Sequence, residues 1–213
     1  MSDRSMVPYT TPRKRTSALA AIDNINEIIP PLDYSFCRFA SIADMQDEEP
    51  RINSPRKHQV EQVHVEGAKS HSRSLRLNNN TLTNLDSIST MAKDKFEKPS
   101  EIAWIDLSFN ELKTIDPAIL EFENLQILYL HGNQIAEIQE IEKLTSLHSL
   151  KKLTLHGNPM EDVKGYRQHI LSILPHLNVL DFSCVTKADR RTAETWQKMC
   201  MGGKKKKVKK EGE

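Results

Sequence analysis

The chain has 213 residues, 38% of them apolar, and a mean hydropathy of −0.56, which is too little apolar matter for two full cores and implies one domain with long solvated ends. Its 30 Lys and Arg balance 29 Asp and Glu, excluding a whole-molecule attraction to nucleic acid or membrane, so any such role falls to a local run. Cys37, Cys184 and Cys200 are too few and too widely spaced for a disulfide set or a Cys-x-x-Cys metal motif, and point to a reducing compartment. The polar, basic start is no secretory signal, and no stretch approaches the roughly 20 apolar residues that span a bilayer. The expected address is cytoplasmic, with no membrane span.

Residues 1–70 are rich in Pro, Ser, Arg, Lys and Glu without a sustained apolar period, and read as a largely disordered arm. Within it, Ile22, Ile25, Ile28 and Ile29 fall on one face of a short helix over 18–29, which Pro30 and Pro31 stop. Leu32, Tyr34 and Phe36 follow on an extended segment, as anchors for docking on the domain or on another chain.

From residue 72 one pattern returns: apolar, Leu or Ile three later, another two later, Asn three after that. The copies are Leu75-Arg-Leu-Asn-Asn-Asn-Thr-Leu82, Ile102-Ala-Trp-Ile-Asp-Leu-Ser-Phe-Asn-Glu-Leu112, Leu125-Gln-Ile-Leu-Tyr-Leu-His-Gly-Asn-Gln-Ile135 and Leu150-Lys-Lys-Leu-Thr-Leu-His-Gly-Asn-Pro-Met160. A fifth, Leu177-Asn-Val-Leu-Asp-Phe-Ser-Cys-Val185, keeps the apolar frame but loses the Asn. This is the leucine-rich-repeat signature. It predicts an α/β solenoid of about five repeats over 72–185, with short parallel strands on the concave face and helices or turns on the convex face.

Asn80, Asn110, Asn133 and Asn158 form the expected structural ladder, spaced by 30, 23 and 25 residues. Each amide can donate to and accept from backbone groups that the turn after the strand leaves unpaired. The longest gap carries Leu85, Ile88, Met91 and Phe96 at near-helical spacing, so its convex segment is expected to be a true helix.

At the carboxyl end, Tyr166, Ile170, Leu171 and Leu174 mark a helix that Pro175 stops. Thr186-Lys-Ala-Asp189 then reads as a capping box opening a cap helix over 186–200, with Trp196 covering the last repeat. The final 201–213, with Lys204-Lys-Lys-Lys-Val-Lys-Lys210, reads as a disordered tail. It fits acidic protein tails, anionic lipid, RNA or an import receptor, or is simply a solvated end.

The run Tyr166-Arg167, Leu174-Pro175, Leu177, Leu180-Asp181, Val185-Thr186 and Asp189-Arg190 resembles the cap of intracellular leucine-rich-repeat proteins with short repeats of the protein-phosphatase-regulator type. Pro30-Pro-Leu-Asp-Tyr-Ser-Phe36, Trp104-Ile-Asp-Leu-Ser-Phe109, Leu128-Tyr-Leu-His-Gly-Asn133, Lys164-Gly-Tyr-Arg-Gln168 and Asp181-Phe-Ser-Cys-Val-Thr-Lys-Ala-Asp-Arg190 extend the resemblance over roughly residues 30 to 200. It implies a cytoplasmic, non-enzymatic scaffold and an association with the cilium or axoneme, as for several relatives that share this cap. The longer amino-terminal arm and the Lys-rich tail depart from that family pattern.

With leucines pointing inward, three outward columns run across the strands. They hold Ser74, Trp104, Ile127, Lys152 and Val179; Arg76, Asp106, Tyr129, Thr154 and Asp181; and Asn78, Ser108, His131, His156 and Ser183. Trp104, Asp106, Ile127, Tyr129, His131, Lys152, His156 and Val179 are the candidate partner-binding residues, because apolar and aromatic side chains turned to solvent mark interaction surfaces. The competing reading has the arm covering this face, or the residues half-buried against neighbours.

His131 and His156 should stack, but Ser108 and Ser183 beside them are poor third ligands, so no metal is expected. No phosphate-cradling glycine motif, His-Glu-x-x-His or Gly-x-Ser-x-Gly occurs, and no catalytic residue or cofactor is assigned. The expected partners are other proteins, axonemal or tubulin-associated, rather than small molecules or nucleic acid. A different class of function is a regulatory subunit of an enzyme or of a nuclear RNA-processing complex, with the Lys tail as import or RNA contact.

Overall fold

The computed structural model describes residues 30–46, 48–51 and 69–208, with side chains through Met199. The predicted helix over 18–29 lies outside the described residues. Each leucine pair sits on a strand of only two or three residues: β1 (Leu32–Asp33), β2 (Ser74–Arg76), β3 (Trp104–Asp106), β4 (Ile127–Tyr129), β5 (Lys152–Thr154), β6 (Val179–Leu180) and β7 (Ser183–Cys184). They form one sheet in sequence order, parallel from β1 to β6, with β7 antiparallel at the end. Register is one repeat per step: Leu32, Leu75, Ile105, Leu128, Leu153 and Leu180 pair in turn. Their side chains and those of Leu77, Leu107, Leu130 and Leu155 point away from the concave face into a continuous core, where none from Leu75 onward is more than 1% exposed.

The asparagines lock one coil to the next. Asn110 donates from Nδ2 to the carbonyls of Leu107 in its own repeat and Leu77 in the preceding one, both at 3.0 Å, while its Oδ1 accepts the Leu82 N–H at 3.1 Å. Asn133 repeats this with Leu130, Leu107 and Leu112, and Asn158 with Leu155, Leu130 and Ile135. All four ladder residues are buried. Each satisfies backbone groups that would otherwise lie inside without partners.

The convex side follows the gap lengths. The long first gap accommodates α1 (Ile88–Lys95), whereas the two shorter gaps are bridged by 3-10 pieces at Pro117–Glu121 and Ile138–Ser146, and after Asn158 a third piece, Pro159–Asp162, leads into the helix α2 (Tyr166–Ile173). A 3-10 turn rises about 2.0 Å per residue against 1.5 Å for an α-helix, so it covers the same arc with fewer residues. Proline opens two of these pieces, and Asp116 caps one by accepting from the Ala118 N–H at 2.9 Å.

Three boundaries differ from the sequence reading. The solenoid begins forty residues earlier than expected, because part of the arm forms its first coil: β1 pairs with β2, and Tyr34, Phe39, Ile42 and Met45 plug the open end of the core at 0%, 6%, 2% and 0% exposure. This coil has Cys37 where the others have the ladder Asn; Asn80 reaches across to it instead, donating to Tyr34 O and accepting from the N–H groups of Cys37 and Phe39. At the other end the fifth unit does not run on as a parallel repeat. Asp181 and Phe182 take φ of 50° and 58°, the left-handed pair of a two-residue hairpin, and turn Ser183 back against Leu180. Ser183 therefore leaves the third outward column. Finally, the cap helix α3 spans Lys187–Val208, continuing past residue 200 into the segment read as a disordered tail.

Candidate functional site: the concave face

The C-terminal cap shows which residues near the face are structural. Thr186 and Asp189 form the reciprocal capping box, with Thr186 N–H to Asp189 Oδ2 at 2.9 Å and Asp189 N–H to Thr186 Oγ1 at 3.1 Å. The hydrogen bond from Arg167 and then that from Thr186 N–H hold the Asp189 carboxyl far below the usual carboxylate range. Arg167 also donates to the carbonyls of Leu180 and Cys184, and Arg190 to those of Pro175 and Leu177, so two guanidinium groups close the backbone of the last turn. The Trp196 ring packs on Gly165, whose φ of +80° and absent Cβ make room for it at the start of α2 (Tyr166–Ile173).

Asp181 ends the face. Its Oδ1 accepts the N–H groups of Leu155 and His156 at 2.7 and 3.0 Å, and its Oδ2 accepts the Tyr166 hydroxyl at 2.9 Å. Burial, and then the Asp181 charge, push the Tyr166 hydroxyl far above its ordinary range, so it stays protonated and donating.

The columns inferred from the sequence lie in register across the strands: Ser74, Trp104, Ile127, Lys152 and Val179 pair in one row, and Arg76, Asp106, Tyr129 and Thr154 in the next. Their exposure divides them. Ile127 and Val179, expected to face solvent, are buried at 3% and 7%, a correction with a simple cause. Each is flanked in the same row by a longer side chain, Trp104 and Lys152 beside Ile127 and Lys152 beside Val179, and a shorter residue between longer ones has less access to solvent. Asp106 is also buried; Oδ1 accepts Ser108 N–H and Oγ–H at 3.0 and 2.6 Å, and burial raises its carboxyl above the usual range despite these bonds.

Trp104, Tyr129, His131, Lys152 and His156 are half-buried and adjoin one another. Trp104 and Tyr129 meet edge to face with centroids 5.9 Å apart, Tyr129 and His131 at 6.0 Å, and the two imidazoles stack 9° from parallel at 4.7 Å. Burial, then the neighbouring His156, holds His131 below the usual imidazole range. Its Nδ1 shares a hydrogen bond with Thr154 Oγ1 at 2.8 Å. Among the described residues no group of three or more His, Cys, Asp and Glu stands where it could hold a metal ion.

Two members of the cluster were missed by the sequence reading. Phe182 leans from the hairpin over the face, 5.6, 5.5 and 5.6 Å from Tyr129, His131 and His156, and Phe109 reaches His131 at 5.1 Å. Phe109 lies across Gly132, where a Cβ would come within 2.6 Å of its ring. Lys152 Nζ sits over both Tyr129 and Phe182, 5.6 and 6.0 Å from the ring centroids. The result is a continuous patch of six rings and one ammonium from β3 to the hairpin.

Phe109 and Phe182 stand 53% and 56% exposed with φ of 54° and 58°. A left-handed backbone costs a residue with a Cβ roughly 1–2 kcal/mol. The positions that correspond to Phe109 on the second, fourth and fifth coils hold Asn79, Gly132 and Gly157, residue types that adopt this conformation readily. A signal was therefore present in the sequence: Phe replaces Asn or Gly immediately before the ladder Asn of one repeat.

A pleated row of Leu-x-Leu coils with a buried Asn ladder defines a leucine-rich-repeat protein, and the family model described as "Leucine-rich repeat" matches residues 100–211. The chain belongs to the leucine-rich-repeat family. Within it, the chain is similar to leucine-rich repeat-containing protein 51 of Macaca mulatta, 50% identical over 181 residues that cover 84% of this chain and 91% of the relative. It is also similar to the U2 small nuclear ribonucleoprotein A' of Saccharomyces cerevisiae, 34% identical over 57% of this chain and 50% of that protein. Among solved structures, the Drosophila melanogaster SNF/U2A' complex matches with a TM-score of 0.50 and 25% identity, over 58% of this chain and 67% of the other. Proteins of this family are in general interaction modules, and the matches denote no catalytic family. No helix among the described residues is long and apolar enough to cross a membrane.

Proposed function

We propose that this protein is a non-enzymatic scaffold that binds another protein through its concave face, as a component of a cytoskeletal, axonemal assembly. The observation that carries the binding surface is the connected row Trp104–Tyr129–His131–His156–Phe182: it is half-exposed, aromatic, and held on strands whose positions the Asn ladder fixes. Aromatic side chains on a rigid platform lose little conformational freedom on binding and gain most when water leaves. Asp106 supports the platform from beneath, and Ile127 and Val179 give it an apolar floor. The axonemal address rests on the resemblance of the cap to that of ciliary relatives.

A photo-crosslinking amino acid placed at Tyr129, and separately at the exposed convex residue Glu142, tests the surface in cells. Adducts formed from Tyr129 and not from Glu142 are the expected result. Equal yields from both faces, or adducts only from the convex one, overturn the concave reading. Imaging tests the address: the tagged chain should follow microtubule doublets in ciliated cells.

A second reading has one observation in its favour, the similarity to U2 small nuclear ribonucleoprotein A'. It makes the chain a subunit of a nuclear RNA-processing complex, with residues 204–210 as import signal. Exclusively nuclear fluorescence that becomes cytoplasmic on removal of 204–210 would decide for it.

A further inference from the structure

Resting on the concave-face reading, the geometry points to the class of ligand: we infer that the site takes a short acidic segment of a partner protein carrying an apolar or aromatic anchor, with Phe109 and Phe182 gripping the anchor and Lys152 receiving a carboxylate. Two independent observations carry this. The first is the direction of the hydrogen-bonding groups. The carboxylates on the face are already engaged from within the fold. Asp33 accepts from Ser35 N–H and pairs with Arg76; Asp106 accepts twice from Ser108; Asp181 accepts from Leu155, His156 and Tyr166. The cations stand further out: the Arg76 side chain is 33% exposed against 16% for its partner Asp33. Lys152 has only the rings of Tyr129 and Phe182 around its ammonium, with no carboxylate within ion-pair distance among the described residues. The indole N–H of Trp104 is buried without an acceptor among them, so it lies beneath the surface as a reporter of the site rather than as a group the ligand touches. An incoming chain therefore meets donors and rings, and the complementary ligand supplies acceptors and apolar atoms.

The second observation is conformational. Three of the exposed large apolar residues, Phe36, Phe109 and Phe182, all have φ between 54° and 59°. An exposed phenylalanine in that conformation carries a backbone strain that Asn or Gly would avoid. For Phe109 and Phe182 the strained backbone places both rings against the His131–His156 stack. Strain retained at exposed rings that border one patch is the mark of a contact surface rather than of packing. An apolar side chain laid against these rings leaves its neighbouring carboxylates within reach of Lys152, whose ammonium lies over Phe182.

The test uses the full chain and three synthetic peptides of one design, a Phe every fourth residue separated by Glu, by Gln or by Lys. Binding is read by calorimetry and by the indole N–H resonance of Trp104, assigned by its loss in Trp104→Phe. The Glu peptide should bind about tenfold more tightly than the Gln peptide at low salt, should move the Trp104 resonance, and should lose that advantage as salt rises. Lys152→Gln should remove most of the charge preference while the Phe-dependent binding persists. Phe109→Asn and Phe182→Asn should each raise the melting temperature yet weaken the Glu peptide at least tenfold. Gain of stability with loss of binding is an outcome that a packing role for these rings does not produce. Equal affinity for the three peptides, tighter binding of the Lys peptide, no binding of any, or a lowered melting temperature in both Asn variants overturns the inference. If the peptides fail while Tyr129 still crosslinks a native partner, the acidic-ligand claim falls and the concave surface stands.

Discussion

The two ends of this solenoid face the same problem, an open hydrophobic core and an unpaired strand edge, and meet it with opposite chemistry. At the amino end an apolar plug of Tyr34, Phe39, Ile42 and Met45 covers the leucines of the second coil. Charge enters there at the margin, where Arg51 donates to Ser35 O, its N–H bonds Asp33 O along the free side of β1, and Asp33 pairs with Arg76. At the carboxyl end the chain turns back on itself, and Arg167, Asp181, Asp189, Arg190 and Tyr166 stitch the last turn with side-chain hydrogen bonds. Apolar burial is indifferent to salt and depends on volume; a charged network depends on geometry, protonation and screening. The ends should therefore fail under different perturbations.

The largest effect is expected in the plug. Met45→Ala removes a fully buried side chain and should cost about 2–5 kcal/mol, the same range as Leu130→Ala in the middle of the solenoid. Because coils interact only with their neighbours, the Met45 defect should appear as early loss of the first coil and exposure of Leu75 and Leu77, and the Leu130 defect as failure of the whole unit. Hydrogen exchange on the β2 amides reads the difference. Equal protection loss across all strands in Met45→Ala would show that the plug is not a separable cap.

Next in size is the network. Asp181→Ala strands the N–H groups of Leu155 and His156 and the Tyr166 hydroxyl at the end of the sheet, and should cost about 1–3 kcal/mol. It should also release the hairpin that carries Phe182, so a single change is expected to damage stability and the binding patch together. Chemical denaturation and the Trp104 indole shift measure the two consequences separately.

What the amino-acid pattern disclosed about these ends is unequal for the same reason. The carboxyl cap rests on polar residues with local partners, such as Thr186 with Asp189, and local pairs leave a readable spacing. The plug rests on Tyr34, Phe39, Ile42 and Met45, which pack on coils far along the chain, and the last three follow no repeat frame. With Cys37 in the ladder position, nothing in that stretch announces a coil. In the candidate site, strand register was legible because side-chain alternation has a period of two, which placed Trp104, Tyr129, His131 and His156 together. Burial of Ile127 and Val179 was not, since it depends on the size and course of the side chains beside them, which alternation does not encode. Nor was Phe182, whose position follows from a reversal at Asp181 that the continuing apolar frame concealed.

A smaller effect, opposite in sign, is expected at the rim. Phe109→Asn relieves a left-handed backbone at 54° and should stabilise the fold by about 1 kcal/mol, offset in part by the lost contact with His131. Gly132→Ala is the control, because it introduces strain at φ of 68° and drives a methyl into the Phe109 ring. Thermal denaturation should move up in the first variant and down in the second. Movement in the same direction would mean that the Phe109 ring holds the repeat together.

The smallest difference is the one that separates the ends most cleanly. Asp189 has its carboxyl lowered in the folded state, by Arg167 first, so the stability it contributes is present above the ordinary aspartate range near pH 4 and is lost as pH falls through that range toward its folded value. Asp44 in the amino-terminal coil is also lowered, but by the N–H and hydroxyl of Ser41 and the N–H of Ala40 rather than by a cation. Acid alone therefore loosens both ends. Salt does not: the Arg167–Asp189 pair is 27% and 28% exposed and open to screening, whereas hydrogen bonds from neutral N–H groups are not ion pairs. At neutral pH, high salt should speed exchange of the buried Ala193 region of α3 and leave the Ile42–Met45 turn unchanged, and Asp189→Asn should abolish that salt response. A salt response of equal size at the two ends, or one that survives Asp189→Asn, would place the charge sensitivity elsewhere and remove the contrast between an apolar plug and a charged clasp.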